Sequence, residues 1–303
     1  MKDLISVCLP TFNHARVIGD ALLSVIAQSY QNLEILIVDN HSDDDTKYVV
    51  ARIAAGDPRV RYVCNSENIG MARNFSTCIT LARGDYIKFL CADDVLEPTC
   101  VEKMLNVMLS HPTVSLVACA RTFVNDTLEP IGTARYSRRF LVTSGEAVIR
   151  RCLFYGNLIG EPTAVLFRRS DAKRGFNENY RQLMDLEMWF YILRSGAFAF
   201  LPEPLCAVRQ HSEQATLENV RSGIILEDKR RLFRESFGNA PKRATFREKI
   251  SWDVRMAVTA CRELDAGHAT PIRGVEEVFF RHFFPRVTYP VTRAIWRLLG
   301  RGH

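Results

Sequence analysis

The chain has 303 residues, of which 47% are hydrophobic and 24% are charged, and its formal net charge is +6. These values are ordinary for a soluble globular protein of one or two domains, and with so modest a charge we expect no nucleic-acid partner. No apolar run approaches 18 residues and the beginning of the chain lacks a signal peptide's apolar core, so we expect a cytoplasmic protein without a transmembrane helix.

The nine cysteines are scattered singly along the chain, and no two of them form a C-x-x-C pair. Most of them lie in apolar segments, and their number is odd. Buried, reduced thiols are the simplest interpretation of this pattern. The spacing argues against a zinc site.

Predicted strands and helices alternate through the first 110 residues. Each strand is a short apolar run that ends at a polar turn, and each helix has apolar residues at helical spacing. This alternation predicts an α/β fold, with a Rossmann-like, mostly parallel sheet flanked by helices. The strands are predicted at 4–10, 33–38, 59–64 and 86–90, and the helices at 16–28, 47–55, 71–82 and 99–110.

The turn after the first strand does not carry a glycine-rich phosphate loop. It reads Pro10-Thr11-Phe12-Asn13, and neither G-x-G-x-x-G nor a P-loop is present there. Side chains and a metal ion, rather than a glycine cradle, would therefore have to hold any bound nucleotide.

The pattern becomes less regular after residue 120. Further elements are predicted as strands at 113–119, 163–167, 198–201 and 205–208, and as helices at 143–154 and 184–194. From about residue 215 the strand signal ends, and Arg-rich helices are predicted, including 224–237 and 245–264. We therefore predict a catalytic domain at 1–215 and a basic, α-helical C-terminal region at 216–303.

Two adjacent carboxylates, Asp93 and Asp94, follow the predicted strand at 86–90. Ligands of open α/β sheets bind beyond the carboxyl ends of the strands. Neighbouring carboxylates repel each other unless a cation or hydrogen-bond donors offset their charge, and Mg²⁺ typically binds one or two carboxylates plus substrate phosphates. The pair therefore indicates a metal–diphosphate site, although a solvated turn before a helix would also explain it.

Several short sequence motifs follow one another along the chain, at 5–13, 24–30, 34–40, 68–74 and 82–90. Together they resemble the family-2 glycosyltransferases of the GT-A fold. The similarity covers about 1–212 and is strongest over 4–98. It implies an inverting enzyme, in which an acceptor hydroxyl displaces a nucleoside diphosphate from the anomeric carbon of a sugar in one step.

The resemblance implies a nucleotide pocket at the ends of the first strands. Asp39 matches the acid that hydrogen-bonds the base, although an Asp at this place could also simply cap a turn. Thr11 and Arg73 match positions that line the pocket. The complete set of nucleotide-binding residues implied in this way is Pro10, Thr11, Asn13, Asp39, Asn68, Arg73 and Asp93.

The resemblance also implies a cation site and a general base. Asp94 would hold Mn²⁺ or Mg²⁺ bridging the diphosphate, and His211 resembles a late histidine that completes this site in some members. Asp185, four residues before Trp189, matches the acid that deprotonates the acceptor hydroxyl. His211 could equally be structural, and Asp185 could be only an N-terminal helix acid. Glu187 lies one helical step away from Asp185 and is expected to be a positioning or a solvated residue.

Two positions depart from the family's pattern. Cys91 stands where an acid is usual, which leaves fewer carboxylates for the cation. His41 stands where glycine is usual, and glycine tolerates backbone angles that histidine avoids.

The expected function is a metal-dependent inverting glycosyltransferase that uses a nucleoside-diphosphate sugar and an acceptor saccharide or lipid-linked saccharide, in bacterial polysaccharide or lipid-linked oligosaccharide synthesis. One alternative is a nucleotide-sugar-binding protein that has lost activity. A sugar-phosphate nucleotidyltransferase is a second alternative, but its usual glycine- and arginine-rich loop is missing.

The C-terminal segment 266–303 carries six arginines and two acids, interleaved with aromatic residues. This amphipathic, basic pattern predicts peripheral contact with the inner face of a membrane. Packing of the segment on the catalytic domain or in a homodimer is the alternative.

Overall fold

The computed structural model describes residues 3–210 and 224–237, together with Thr245 and Glu248. These residues fall into two compact units. The first contains the described residues up to 149, those from 157 to 180 and those from 184 to 210; the second contains 150–156, 181–183 and the described residues beyond 212. Within these ranges, no helix has both the length and the apolar character needed to cross a bilayer.

The described part of the chain forms seven α-helices and ten strands. The helices are α1 Ile18–Ile26, α2 Thr46–Ala54, α3 Met71–Leu81, α4 Cys100–Ser110, α5 Gly145–Tyr155, α6 Met184–Leu193 and α7 Ile224–Phe237. The strands are β1 Ile5–Thr11, β2 Leu33–Asp39, β3 Val60–Cys64, β4 Tyr86–Phe89, β5 Val95–Leu96, β6 Val114–Val124, β7 Pro130–Ala134, β8 Leu141–Ser144, β9 Val165–Arg168 and β10 Ala197–Arg209.

All ten strands belong to one sheet, whose main order is β3-β2-β1-β4-β9-β6-β10-β5. Four of the seven neighbouring pairs in this order are parallel, so the sheet is mostly parallel along its main path. β1 and β2 are buried at every residue, which shows that both faces of the sheet are covered. The predicted α/β fold is confirmed.

Strand direction determines which residues meet at one edge. β1, β2, β4, β6 and β10 all run the same way, so their carboxyl ends share an edge. β9 runs antiparallel between β4 and β6, with Lys88 opposite Leu166. The start of β9, rather than its end, therefore lies at that shared edge.

Buried helix faces explain why these segments are helical. The buried residues of α1 are Ile18, Ala21, Leu22 and Val25, which recur at the i, i+3, i+4, i+7 spacing of one helical face. α4 follows the same rule with six buried side chains beneath its exposed Glu102. Both faces pack into the core that covers the parallel half of the sheet.

The second half of the sheet differs from the sequence prediction. β5, β7 and β8 were not predicted, because they are short and because β7 is mostly exposed and lacks apolar alternation. The two strands predicted on either side of Pro202 and Pro204 form one strand, β10. Proline has no backbone N–H to donate, and the pairing of β10 with β6 shifts its register around Pro204. The predicted strand at 163–167 begins as a 3-10 turn at Pro162–Ala164.

Gly84 lies beside the start of β1, just before the chain enters β4. A Cβ here would come within 2.5 Å of the Ser6 nitrogen and 2.7 Å of the Leu4 oxygen. Because these are backbone atoms of a central strand, we expect Gly84→Ala to lower the free energy of unfolding by about 3 kcal/mol. Urea denaturation measures this loss.

Gly132→Ala is the matched control, since its added Cβ would meet only the Phe123 side chain, at 3.9 Å. We expect its free energy of unfolding to stay within about 0.5 kcal/mol of the parent. Equal losses in the two variants would contradict the close approach at Gly84.

Candidate functional site

The shared carboxyl edge carries the polar residues singled out in the sequence. Thr11 and Asp39 are the last residues of β1 and β2, and Asp93 and Asp94 follow β4 by a few residues. Arg209 ends β10 at the same edge. The fold thus brings one end of the predicted nucleotide pocket and the predicted cation site to a common edge of the sheet.

Asp93 and Asp94 form the centre of an acidic cluster. Their carboxylates and the Cys91 thiol each offer an atom within 4.8 Å of the other two. Asp94 is only 3% exposed, and burial together with the Asp93 charge raises its pKa well above the ordinary value. A cation placed at the cluster would offset this repulsion.

Two donors fix the orientation of Asp94. The Thr163 hydroxyl donates to one carboxylate oxygen at 2.5 Å, and the Arg209 backbone N–H donates to the other at 2.9 Å. The same Thr163 oxygen accepts the backbone N–H of Cys91 at 3.0 Å. Asp94 is thus held in place by residues from β10 and from the start of β9.

Arg209 holds the loop that carries the acids. Its side chain is buried, and its guanidinium donates to the Asp93 backbone carbonyl at 2.9 Å and to the Asp20 carboxylate at 2.8 Å. Sequence reasoning singled out His211 in this neighbourhood and missed Arg209. His211 lies outside the described residues, so its predicted metal role stays a prediction.

The donor set fits a hard divalent cation. Mg²⁺ and Mn²⁺ prefer carboxylate oxygens and take further oxygens from a substrate diphosphate. Cys91 is a poorer ligand for such ions, because burial and the two nearby aspartates raise the pKa of its thiol and keep it protonated. Asp93 and Asp94 are therefore the residues that could hold the cation.

Asp39 is buried at the end of β2, and both of its carboxylate oxygens accept hydrogen bonds. One oxygen accepts the Ser42 backbone N–H at 2.8 Å and the Ser42 hydroxyl at 2.6 Å, and the other accepts the Tyr62 hydroxyl. Burial and the Asp39 charge raise the pKa of Tyr62. Asp39 therefore closes a turn, as the alternative interpretation held, and it is also held in one orientation.

An asparagine network lies behind this turn. The Asn40 side chain donates to Asn68 at 2.7 Å and accepts from Asn65 at 3.0 Å, and Asn65 also donates to Asn74 at 2.9 Å. Asn74 in turn donates to the Val38 carbonyl at 3.0 Å. Of these four amides only Asn68 was predicted as a site residue; the others connect the ends of β2 and β3 to α3.

The loops after β1 and β2 bind each other. The Asn13 backbone N–H donates to the Ser42 hydroxyl at 2.8 Å, and the Asn13 side-chain oxygen accepts the Asp43 N–H at 3.0 Å. Asn13 and His41 both have positive φ values, of 57° and 68°. His41 thus adopts the left-handed conformation that glycine tolerates most readily.

The remaining predicted nucleotide residues differ in exposure. Pro10 and Thr11 are buried, and the Thr11 hydroxyl lies 3.2 Å from the His14 ring nitrogen Nδ1. Arg73 is exposed on α3, where its Nε donates to the Glu178 carboxylate at 2.7 Å. To contact a nucleotide, the Arg73 guanidinium would have to leave its exposed ion pair with Glu178.

Asp185 lies in the first turn of α6 and is half-buried. Burial raises its pKa to about 7, and the Glu161 charge adds to the rise, whereas the Leu186 backbone N–H and Arg121 lower it. The Leu186 N–H donates to it at 2.7 Å, and the Asn157 amide lies 3.4 Å away. A carboxylate whose pKa lies near neutral pH is suited to proton abstraction.

Glu187 is buried in an ion pair rather than solvated. It is 7% exposed, and both its oxygens accept hydrogen bonds from the Arg174 guanidinium, at 2.6 and 2.8 Å. Trp189 and Phe190 are buried in the core. Asp185 therefore stays the candidate base of α6, whereas Glu187 is engaged by Arg174.

The sequence is similar to those of known glycosyltransferases. The sequence model of "Glycosyl transferase family 2" matches residues 6–176, more than half of the chain. The uncharacterized protein MT1568 of Mycobacterium tuberculosis is 33% identical over 223 residues, 70% of this chain and 68% of that protein. Chondroitin synthase of Pasteurella multocida is 28% identical over 222 residues, 72% of this chain but 22% of the synthase.

A solved structure shows the same fold at low sequence identity. The mannosyltransferase PcManGT from Pyrobaculum calidifontis, solved in complex with GDP-Man and Mn²⁺, superposes with a TM-score of 0.60. The similarity covers 99% of this chain and 88% of that one at 17% identity. Since the family match covers more than half of the chain and the MT1568 similarity extends over two thirds of it, the chain belongs to glycosyl transferase family 2.

Proposed function

We propose that this glycosyltransferase is a metal-dependent, inverting enzyme that moves a sugar from a nucleoside-diphosphate sugar to a hydroxyl of an acceptor saccharide or lipid-linked saccharide. The observation that carries the proposal is that the fold holds two carboxylates, Asp94 and Asp185, whose pKa values burial raises. Asp94 is oriented for a cation, and Asp185 is poised to take a proton. One chain segment, 157–163, contacts both.

The donor half of the proposed site uses the ends of β1 and β2. Asp39, held by Ser42 and Tyr62, would accept a hydrogen bond from the nucleotide base. Pro10, Thr11 and Asn13 would line the same pocket, with Asn68 and Arg73 at its α3 side. The fixed loops mean that this half is largely preformed before the donor arrives.

The acids after β4 would hold the diphosphate end of the donor. Asp94, with Asp93 beside it, would bind Mn²⁺ or Mg²⁺, which when bound neutralises the negative charge of the departing diphosphate. Thr163 and Arg209 fix the carboxylate of Asp94 before the cation binds, so little reorganisation is needed at the moment of transfer.

Asp185 would serve the acceptor. Its carboxylate takes the proton of the attacking hydroxyl while the acceptor oxygen bonds to the anomeric carbon and the bond from that carbon to the diphosphate oxygen breaks. One displacement from the opposite face inverts the anomeric configuration. The raised pKa of Asp185 makes it a stronger base than an ordinary aspartate once it is ionised.

The relatives support the classes of donor and acceptor. PcManGT was solved with a nucleoside-diphosphate sugar and Mn²⁺, and a polysaccharide synthase is among the sequence relatives. By analogy, we propose that the donor of the present chain belongs to the same chemical class. We also propose that the chain acts in polysaccharide or lipid-linked oligosaccharide synthesis. The segment 266–303, where we predicted membrane or homodimer contact, lies outside the described residues.

A thermal-shift panel with the diphosphates of five nucleosides, each with and without Mn²⁺, tests the proposal. Because ligands stabilise the state that binds them, one diphosphate at about 100 times its dissociation constant is expected to add about 2.7 kcal/mol, or roughly 5 °C or more in melting temperature, only when Mn²⁺ is present. Glu203→Gln, an exposed acid paired with Lys103, is the control and is expected to behave as the parent.

Hydrolysis of the matching nucleotide sugar separates the alternatives. Release of free sugar, or transfer to an added acceptor, supports the enzyme. A metal-dependent shift without any turnover favours the nucleotide-sugar-binding protein that has lost activity. If none of the diphosphates shifts the melting temperature, the proposed donor class is wrong.

A further inference from the structure

A buried ion pair lies on the acceptor side of the site, between Arg121 of β6 and Glu161 of the segment 157–163. The Arg121 side chain is 6% exposed, and the Glu161 side chain is 35% exposed. No part of the predicted site and no step of the proposed reaction uses either residue. An arginine this deeply buried at a ligand-binding edge needs an explanation, because desolvating a charge is costly.

The segment 157–163 connects the two carboxylates of the proposed reaction. At one end the Asn157 amide lies 3.4 Å from the Asp185 carboxylate, and at the other end the Thr163 hydroxyl donates to Asp94. Its middle is tied to α6, since the Trp189 ring N–H donates to the Gly160 carbonyl at 3.2 Å. The position of this segment therefore affects both ends of the site.

Arg121 packs directly against this segment. Gly160 has a φ of 125°, and a Cβ there would lie 3.2 Å from the Arg121 guanidinium and 2.9 Å from the Ala164 Cβ. Only glycine allows the chain to pass so close to the guanidinium in that conformation. Arg121 also lies over the Phe123 ring, at 5.6 Å from its centroid, which fixes the other side of the guanidinium.

We propose that Arg121 and Glu161 are positioning residues for the acceptor side of the site: they hold the segment 157–163 and set the balance of charge around the base, Asp185. The inference rests on the proposed function of Asp185. Among the described residues, the charged side chains that act on Asp185 are Glu161 from the segment and Arg121 from β6, and Glu161 also acts on Asp94. On α6 itself, Glu187 faces Arg174 instead. Asn157 and the Leu186 N–H are its uncharged neighbours.

The two members of the pair act on Asp185 with opposite signs. Glu161 favours the protonated base and Arg121 favours the ionised base. Substitutions that break the same ion pair from its two ends should therefore shift the ionisation of Asp185 in opposite directions. A purely structural ion pair would give similar changes from both ends, or none.

The test compares kcat/KM against pH for the parent, Arg121→Met and Glu161→Gln at saturating Mn²⁺. In the parent, kcat/KM falls at low pH as Asp185 becomes protonated, and we call this fall the acid limb. We expect the pH of the acid limb to rise by about one unit in Arg121→Met and to drop by about one unit in Glu161→Gln. Arg121→Lys, which keeps the charge, should restore the limb to near the parent's position. Shifts in the same direction, or an unmoved limb in both variants, would overturn the proposal.

A second readout needs no transferase activity and so distinguishes failure of this inference from failure of the proposed function. In each background, the gain in melting temperature on Asp185→Asn is followed against pH, since that gain grows from about pH 4 and is complete once Asp185 has ionised in the folded chain. Its midpoint should move up in Arg121→Met and down in Glu161→Gln. If Arg121→Met does not fold, Glu161→Gln and Arg121→Lys still test the sign, and a midpoint unmoved in Glu161→Gln overturns the inference.

Discussion

Asp185→Asn is expected to lower kcat by about 10²–10⁴-fold, the range that a general base contributes. The asparagine keeps the shape of the side chain and can still accept the Leu186 N–H, but it cannot take a proton. In the parent, kcat/KM should fall as the pH drops through about 7, because protonation of Asp185 removes the base. The residual rate of the variant should lack this limb.

The same substitution is expected to raise the melting temperature. The pKa of Asp185 is about 7 in the folded chain and about 3.9 in the unfolded one, so its ionisation in the fold costs stability. That cost is absent below about pH 4, grows as the pH rises to about 7 and is complete above it. The stability gain of Asp185→Asn should follow this course.

Glu187→Gln is the matched control on the same helix. It weakens the two hydrogen bonds to Arg174, so we expect a lower melting temperature with kcat unchanged per folded molecule. Steady-state kinetics and thermal denaturation of both variants give opposite signatures. If Asp185→Asn kept full activity, or if Glu187→Gln lost it, the assignment of the base would be wrong.

Asp94→Asn is expected to abolish the Mn²⁺-dependent thermal shift and to lower kcat by about 10³-fold, since a cation supplies several kcal/mol of charge stabilisation. Without metal, the variant should be more stable than the parent. Burial and Asp93 already oppose the charge of Asp94, and the neutral amide removes that repulsion. Calorimetric titration with Mn²⁺ and a nucleoside diphosphate measures the loss of binding.

Thr163→Val separates the orientation of Asp94 from its charge. The valine keeps the volume of the side chain but removes the hydroxyl that donates to Asp94 and accepts from Cys91. We expect a loss of cation affinity of about tenfold, far smaller than in Asp94→Asn. An Asp94→Asn protein that still binds Mn²⁺ in the presence of the diphosphate would refute the cation site.

The parallel half of the fold could be predicted because its elements are local and regular. β1, β2 and β4 are short, mainly apolar segments, each interrupted by a polar residue (Ser6, Glu34 and Lys88), and the helices between them carry clear buried stripes. The common direction of these strands then places Asp39 and Asp94 at the same edge of the sheet. The strand pattern singled out Asp93 and Asp94 for the same reason, whereas Asp39 and Asp185 were implied by the family resemblance.

The partners of those acids could not be predicted, because they come from distant parts of the chain. Thr163 and Arg209 reach Asp94 across 69 and 115 residues, and Tyr62 reaches Asp39 from a neighbouring strand. Nothing in the local pattern of a threonine before a strand, or of an arginine at the end of one, indicates an acidic partner. The burial of Glu187 and the continuity of β10 through its prolines depend on tertiary packing in the same way.

The reversed direction of β9 has a consequence for how such an enzyme diversifies. The proposed donor pocket is built from residues that follow parallel strands, whereas the proposed acceptor side is reached by the chain that enters β9. Substitutions in the segment 157–161 would leave the register of β1, β2 and β4 unaltered, but Thr163 at the end of the same segment holds Asp94. A change of acceptor through this segment would therefore be constrained by the need to keep the Thr163 hydroxyl against Asp94.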